Sequence, residues 1–110
     1  MGAFSRCTVW VVALDGYCAS NKQGFKEISI NEITGEFSLF NYYKIDPNAW
    51  NARITGNLLR NEVKTQSVKG GSRLKAIEAE KDGEAWNLAL RWHRSNGGQC
   101  TVKTVISPGT

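Results

Sequence analysis

Two short apolar runs, each opened by a cysteine, lie near the ends of this 110-residue chain: Cys7-Thr-Val-Trp-Val-Val-Ala-Leu14 and Cys100-Thr-Val-Lys-Thr-Val-Ile106. Both read as β-strands, the first apolar on both faces as a central buried strand is. A bond between the two cysteines closes a loop over most of the chain and holds the first strand against the last. Three cysteines leave one over when two pair. Strand starts favour Cys7–Cys100, because a cross-strand bridge is geometrically easy there. Cys18–Cys100 ranks second and Cys7–Cys18 third. In the chain-entropy picture a loop of this length stabilises the domain by about 4–5 kcal/mol. A persistent bridge implies an oxidising compartment, so a secreted, periplasmic or extracellular protein is expected. The alternative is three reduced thiols acting as small apolar core residues.

Between these runs the chain is a series of short β segments punctuated by turns, with no repeat and no low-complexity tract. Phe25–Asn31 and Glu36–Tyr43 form a hairpin around Ile33-Thr34-Gly35; Ile28 and Ile30 point one way on the first arm, and Phe37 and Leu39 share a face of the second, with Phe40 and Tyr42 on its opposite face. Asp46-Pro47 is a helix-start signal, so one short helical turn is allowed near residues 47–51. From Trp50 to Leu58 the alternation places Trp50, Ala52, Ile54 and Leu58 inward and Asn51, Arg53, Thr55 and Asn57 outward. Glu62–Val68 follows.

Ser72–Asp82 carries residues that favour helix, Leu74, Ala76, Ile77 and Ala79 among them. Its partner decides the matter. Trp86, Leu88, Leu90 and Trp92 alternate strictly, and Asp82-Gly83 is a strong two-residue hairpin turn. Counting outward pairs Lys81 with Glu84, Ala79 with Trp86, Ile77 with Leu88 and Arg73 with Trp92, the last a cation–π pair. Cys100–Ser107 then returns beside Glu84–His93. The expectation is an all-β single domain, residues 1–110. It is a small antiparallel β-sandwich or closed β-barrel of seven or eight short strands in meander order.

Composition narrows the function classes. The net charge is +4, and it is unevenly placed: residues 1–50 hold four Lys/Arg against five Asp/Glu, residues 51–110 ten against five. The second half therefore favours acidic or anionic partners. No polybasic run marks a nucleic-acid surface, although a basic RNA-binding barrel is an alternative reading. The longest apolar run, Val9–Leu14, is too short to span a membrane as a helix. Residues 1–20 have the outline of a leader, but Asp15 sits badly for one, and the segment is read as a core strand.

Catalytic and cofactor chemistry find little support. His93 is the only histidine, and three dispersed cysteines do not complete a zinc site with it. Gly70-Gly71 and Gly97-Gly98 lack the Gly-Lys-Ser/Thr of a phosphate loop. Glu78, Arg91 and His93 on adjacent strands are the parts of a small ribonuclease-like hydrolase, read instead as a solvated face with cross-strand charge pairing. No catalytic residue, cofactor or metal is assigned.

Gln66-Ser67-Val68-Lys69-Gly70 resembles the Gln-x-Val-x-Gly hairpin loop of the cystatin family of cysteine-protease inhibitors, which implies inhibition through that loop. The long helix and the Pro-Trp pair that accompany it in the family have no counterpart here. Arg6-Cys7-Thr-Val-Trp and Gln99-Cys100-Thr-Val-Lys are similar to small secreted β-sandwich effectors of plant-pathogenic fungi, which implies a Cys7–Cys100 bridge. The cysteines are farther apart here than in the compact effectors. The reading that results is a secreted, non-enzymatic, effector-like or inhibitor-like domain that binds a protein partner. Consecutive tyrosines cannot share one face of a strand, so Tyr42 or Tyr43 stands outside, with Trp50 nearby in sequence. With Arg53, Lys64 and Lys69 from the basic half, these are the candidate partner-binding residues.

Overall fold

Residues 3–10, 13–18, 23–43 and 50–107 are described by a computed structural model, for residues 3–10 and Tyr43 through the backbone alone. Nine strands occur in them: β1 (Ala3–Trp10), β2 (Ala13–Gly16), β3 (Gln23–Asn31), β4 (Glu36–Tyr43), β5 (Trp50–Asn57), β6 (Glu62–Val68), β7 (Arg73–Asp82), β8 (Ala85–His93) and β9 (Gln99–Ile106). They make an all-β, antiparallel sandwich of a five-stranded sheet, β1-β3-β4-β5-β6, and a four-stranded sheet, β2-β9-β8-β7. Each expected strand is present. The ninth arises because the Cys7–Leu14 run divides: Trp10 ends a strand of the first sheet and Ala13 begins one of the second. Residues 47–49 of the expected helical turn lie outside the described residues, and Trp50 and Asn51 are strand. No helix among the described residues is long and apolar enough to cross a membrane.

That division corrects the disulfide. β1 pairs with β3, while β9 pairs with β8 and β2, so Cys7 and Cys100 belong to different sheets. The bridge is Cys18–Cys100, with Cα atoms 4.8 Å apart. The register sets Gly16 against Cys100, and Gly16 takes a φ of 87°. A Cβ there would run into the Gln99 carbonyl, so only glycine lets the chain turn this close. The Tyr17 N–H then donates to the Gln99 carbonyl at 2.8 Å, bringing Cys18 back over β9.

The core lies between the sheets, with Phe25, Ile28 and Ile54 facing Ile77, Leu90 and Val102, all at most 1% exposed. Several strands fill it only by breaking their alternation. Lys26 pairs with Phe40 and Ser29 with Ser38, so Glu27 and Ile28 together oppose one residue. Glu27 adopts a φ of 51°, a costly conformation for a residue with a Cβ. The bulge allows Phe25, Ile28 and Ile30 all to be buried. In β7, Lys75 is the extra residue between the pairs Leu74–Trp92 and Ala76–Arg91, so Leu74 and Ile77 both face inward although three positions apart. The β7–β8 turn also differs from expectation. Gly83 has a φ of 62° and occupies the first central position of a Gly-x turn, so Asp82 pairs with Ala85, Lys81 with Trp86 and Ile77 with Leu90. From Ile77 onward the faces are as expected. Beyond the Lys75 bulge, Leu74 takes the inward place opposite Trp92 expected for Arg73. Arg73 opposes His93, and the cation over a tryptophan in this hairpin is Lys81, 4.9 Å from the Trp86 ring.

Where the chain passes from β6 to β7 it changes sheets, and two edge strands meet. There Gln66 acts as a piece of backbone: its Nε2 donates to the Leu74 carbonyl at 2.9 Å and its Oε1 accepts from the Leu74 N–H at 2.8 Å. Asn61 Oδ1 accepts from the Ala79 N–H at 3.0 Å. The Gln66 of the cystatin-like pentapeptide thus serves this corner.

Two outcomes follow from this architecture. Alkylation without reductant should label one thiol, mapped to Cys7, and Cys18→Ser should lower unfolding stability by about 4–5 kcal/mol; labelling of Cys18 in the native protein contradicts the pairing. Gln66→Met should cost about 2–3 kcal/mol in urea denaturation, since it strands a partly buried N–H and C=O.

Candidate binding face and adjoining recess

The outer face of the five-stranded sheet carries interleaved rings and cations. Across it run the cross-strand pairs Lys26–Phe40 and Phe40–Arg53, and beside them Tyr42–Trp50. The residue that arranges this is Asn51. Asn41 pairs with Ala52 but Tyr42 pairs with Trp50, so Asn51 is a bulge. It turns Trp50 to the outer face beside Phe40, ring centroids 5.5 Å apart. The inward position expected for Trp50 and the outward one expected for Asn51 are therefore exchanged.

Each ring is covered by a cation. Lys69 Nζ lies 4.2 Å from the Trp50 centroid, Lys26 Nζ 5.4 Å from that of Tyr42, and the Arg53 guanidinium carbon 5.7 Å from that of Phe40. Phe40 and Trp50 are half-buried, and Arg53 and Lys69 are exposed. Among the described residues neither Arg53 nor Lys69 is ion-paired; the two ion pairs found there are Lys81–Glu32 and Arg91–Glu78. Stacked stems hold these two charges in place on an apolar floor.

Of the six sequence candidates, Trp50, Arg53 and Lys69 come together here. Tyr42 belongs to the same group but is only 3% exposed, so it supports the face from beneath and does not present a contact surface. The Tyr43 side chain lies outside the described set. Lys64 is the extra residue between the pairs Thr55–Thr65 and Gly56–Val63. It stands with Arg60 and Glu62 at the other end of the sheet, apart from the group.

Lys69 also reaches a second feature, a recess of about 70 Å³ where β5 begins and β4, β6 and β8 end. Its walls include Gln23, Asn41 and Asn51, with Trp92 and the disulfide-bonded Cys100 alongside and Lys69 and Arg94 as its cations. Asn41 is 2% exposed and donates through Nδ2 to the Gly24 carbonyl at 3.1 Å. The Asn51 Oδ1 is fully buried without a partner among the described residues, as is the Trp86 Nε1 at the opposite end of the sandwich. Arg94 Nη1 donates to the Tyr17 carbonyl at 3.1 Å. Sequence reasoning passed over this group, although Asn41, in step with Phe37 and Leu39, is a polar residue at an inward position.

The hydrolase parts do not assemble into a comparable site. Arg91 Nε donates to Glu78 Oε1 at 3.0 Å on an open face, and His93 is exposed at a strand end opposite Arg73. Among the described residues no three His, Cys, Asp or Glu side chains gather as metal ligands do.

Asn51→Ala should leave stability within about 0.5 kcal/mol of the parent or raise it, because it removes an acceptor that folding leaves unpaired, whereas Asn41→Ala should cost about 1–2 kcal/mol with its hydrogen bond. Equal losses in urea denaturation would contradict the asymmetry. Compared with protein-family models, curated proteins and solved structures, the chain matches none.

Proposed function

We propose that this chain is a secreted, disulfide-stapled, non-enzymatic domain that binds an acidic protein segment across the outer face of β4, β5 and β6, in an effector-like or inhibitor-like role. The observation that carries this reading is the pair of exposed cations, Arg53 and Lys69, held over Phe40 and Trp50 without a described carboxylate partner. A charge already pinned on a ring loses little side-chain freedom when a carboxylate arrives. Arg and Trp are also the residue types that dominate binding hot spots. The Cys18–Cys100 bridge supports an oxidising compartment.

Single-stranded nucleic acid, the other anionic partner such a face suggests, binds by stacking bases on open aromatic faces. Here cations already cover the ring faces, and Tyr42 is buried, which favours carboxylates over bases. Selection of displayed acidic peptides on the immobilised protein tests the proposal. Selected peptides should lose at least about tenfold in affinity to an Arg53→Glu/Lys69→Glu double variant that unfolds at the parent temperature. Peptide binding that ignores the double reversal overturns it. So does tighter binding of an RNA homopolymer whose affinity falls steeply with salt.

A further inference from the structure

One reactive pair of residues serves neither the core nor the ring-and-cation face. Of the nine asparagines in the chain, only Asn96 is followed by glycine. Both residues are exposed in the turn between β8 and β9, where Gly97 has a φ of 87°. A Cβ at Gly97 would meet nothing within 4 Å, so the peptide between them lies open to solvent. The Asn96 side chain is folded back along the turn. Its Oδ1 accepts from the Gly98 N–H at 2.8 Å, past the Gly97 nitrogen that lies between them in the chain. Other asparagines are held differently: Asn41 is 2% exposed, and Asn57 has both ends of its amide engaged by Thr34 and Arg60. Asp15 and Asp82 also precede glycines, but a carboxylate repels a nucleophile that a neutral amide admits.

We propose that Asn96 is a site of self-modification, at which the chain converts its own asparagine to aspartate and isoaspartate with water as the only co-reactant. The Gly97 N–H gives up its bond to the Arg94 carbonyl and loses its proton to hydroxide. The nitrogen then bonds to Asn96 Cγ. The Cγ–Nδ2 bond breaks, and ammonia leaves with a proton from water, which restores the hydroxide. Water opens the resulting cyclic imide at Cγ to give aspartate, or at the main-chain carbonyl to give isoaspartate. As the nitrogen attacks, negative charge grows on Oδ1, the atom at which the Gly98 N–H already points, as the donors of an oxyanion hole do. The products bear on the segment that carries Cys18. A new carboxylate stands two residues from Arg94, whose guanidinium donates to the Tyr17 carbonyl at 3.1 Å. Isoaspartate also lengthens the turn beside Gly98, where a Cβ would lie 2.8 Å from the Tyr17 Cβ.

The test needs no protein partner, so its result is independent of the proposed binding function. Intact, oxidised protein is held at mildly alkaline pH, and each asparagine is followed by peptide mapping with mass and isoaspartate detection. Asn96 should convert at least about tenfold faster than any other asparagine, as an open pair with an aimed donor allows. Its rate should rise with hydroxide, and isoaspartate should be among its products. The rate in the folded protein should also stay within about tenfold of that in the urea-unfolded chain, where nothing restrains the pair. Asn96→Gln, whose longer side chain forms the ring poorly, should stop the conversion. Aspartate without isoaspartate would mean direct hydrolysis, and a slower folded rate than this would mean that the turn shields the pair. Either result overturns the proposal, as does faster conversion of another asparagine.

Discussion

Strict alternation cannot fill this sandwich. A strand that never slips places every second residue inside, yet the apolar residues of β3 and β7 sit three positions apart, at Phe25 and Ile28 and at Leu74 and Ile77. The chain resolves the conflict with one surplus residue in each strand, near Glu27 and at Lys75. Similar slips at Asn51 and Lys64 set the two sides of β5. Burial of whole apolar side chains is worth a few kcal/mol each, which outweighs the cost of about 1–2 kcal/mol for holding Glu27 in a left-handed conformation. The candidate binding face depends on the same device, since with Asn51 regularly paired Trp50 would point into the interior.

The bulges also mark the boundary of what the sequence reveals. Strands with unbroken alternation, such as β8 with Trp86, Leu88, Leu90 and Trp92, are legible at once, as are the turns and the all-β class. Residues 72–82 are ambiguous without their partner strand because Leu74, Ala76, Ile77 and Ala79 favour helix. The disulfide was misassigned because a continuous Cys7–Leu14 strand would have placed Cys7 beside β9. Nothing local in Trp10-Val11-Val12-Ala13 announces a change of sheet. Of the candidate site, the residue types were legible and their gathering was not: Trp50 and Lys69 meet across a strand pair, and Lys64, equally basic, does not join them. The recess went unseen because Asn51, in its wall, lies at a slip.

The two ends of the sandwich are finished in opposite ways. At one, Lys81 lies over the buried Trp86 and bonds to Glu32 in the β3–β4 turn at 2.8 Å, a closure made of paired charge on an aromatic plane. At the other, Trp92 and the disulfide are met by the amides of Gln23, Asn41 and Asn51. Each end also holds one buried atom without a partner among the described residues, Trp86 Nε1 at the first and Asn51 Oδ1 at the second. Natural interiors seldom leave such an atom unpaired. The polar end adjoins the ring-and-cation face through Lys69.

The surplus residues are the places where a strand of this chain can change length without changing its faces. Removing Lys75 would leave Leu74 two positions before Ile77, in plain alternation, with the pairs Leu74–Trp92 and Ile77–Leu90 unchanged. Removing a regularly paired residue such as Glu78 would instead turn one side of β7 over. Glu27 is also surplus, but its left-handed backbone, with a φ of 51°, restricts which residues can replace it. The fold is therefore written partly in the spacing of the chain and not only in its letters, and the bulges are where that spacing can give.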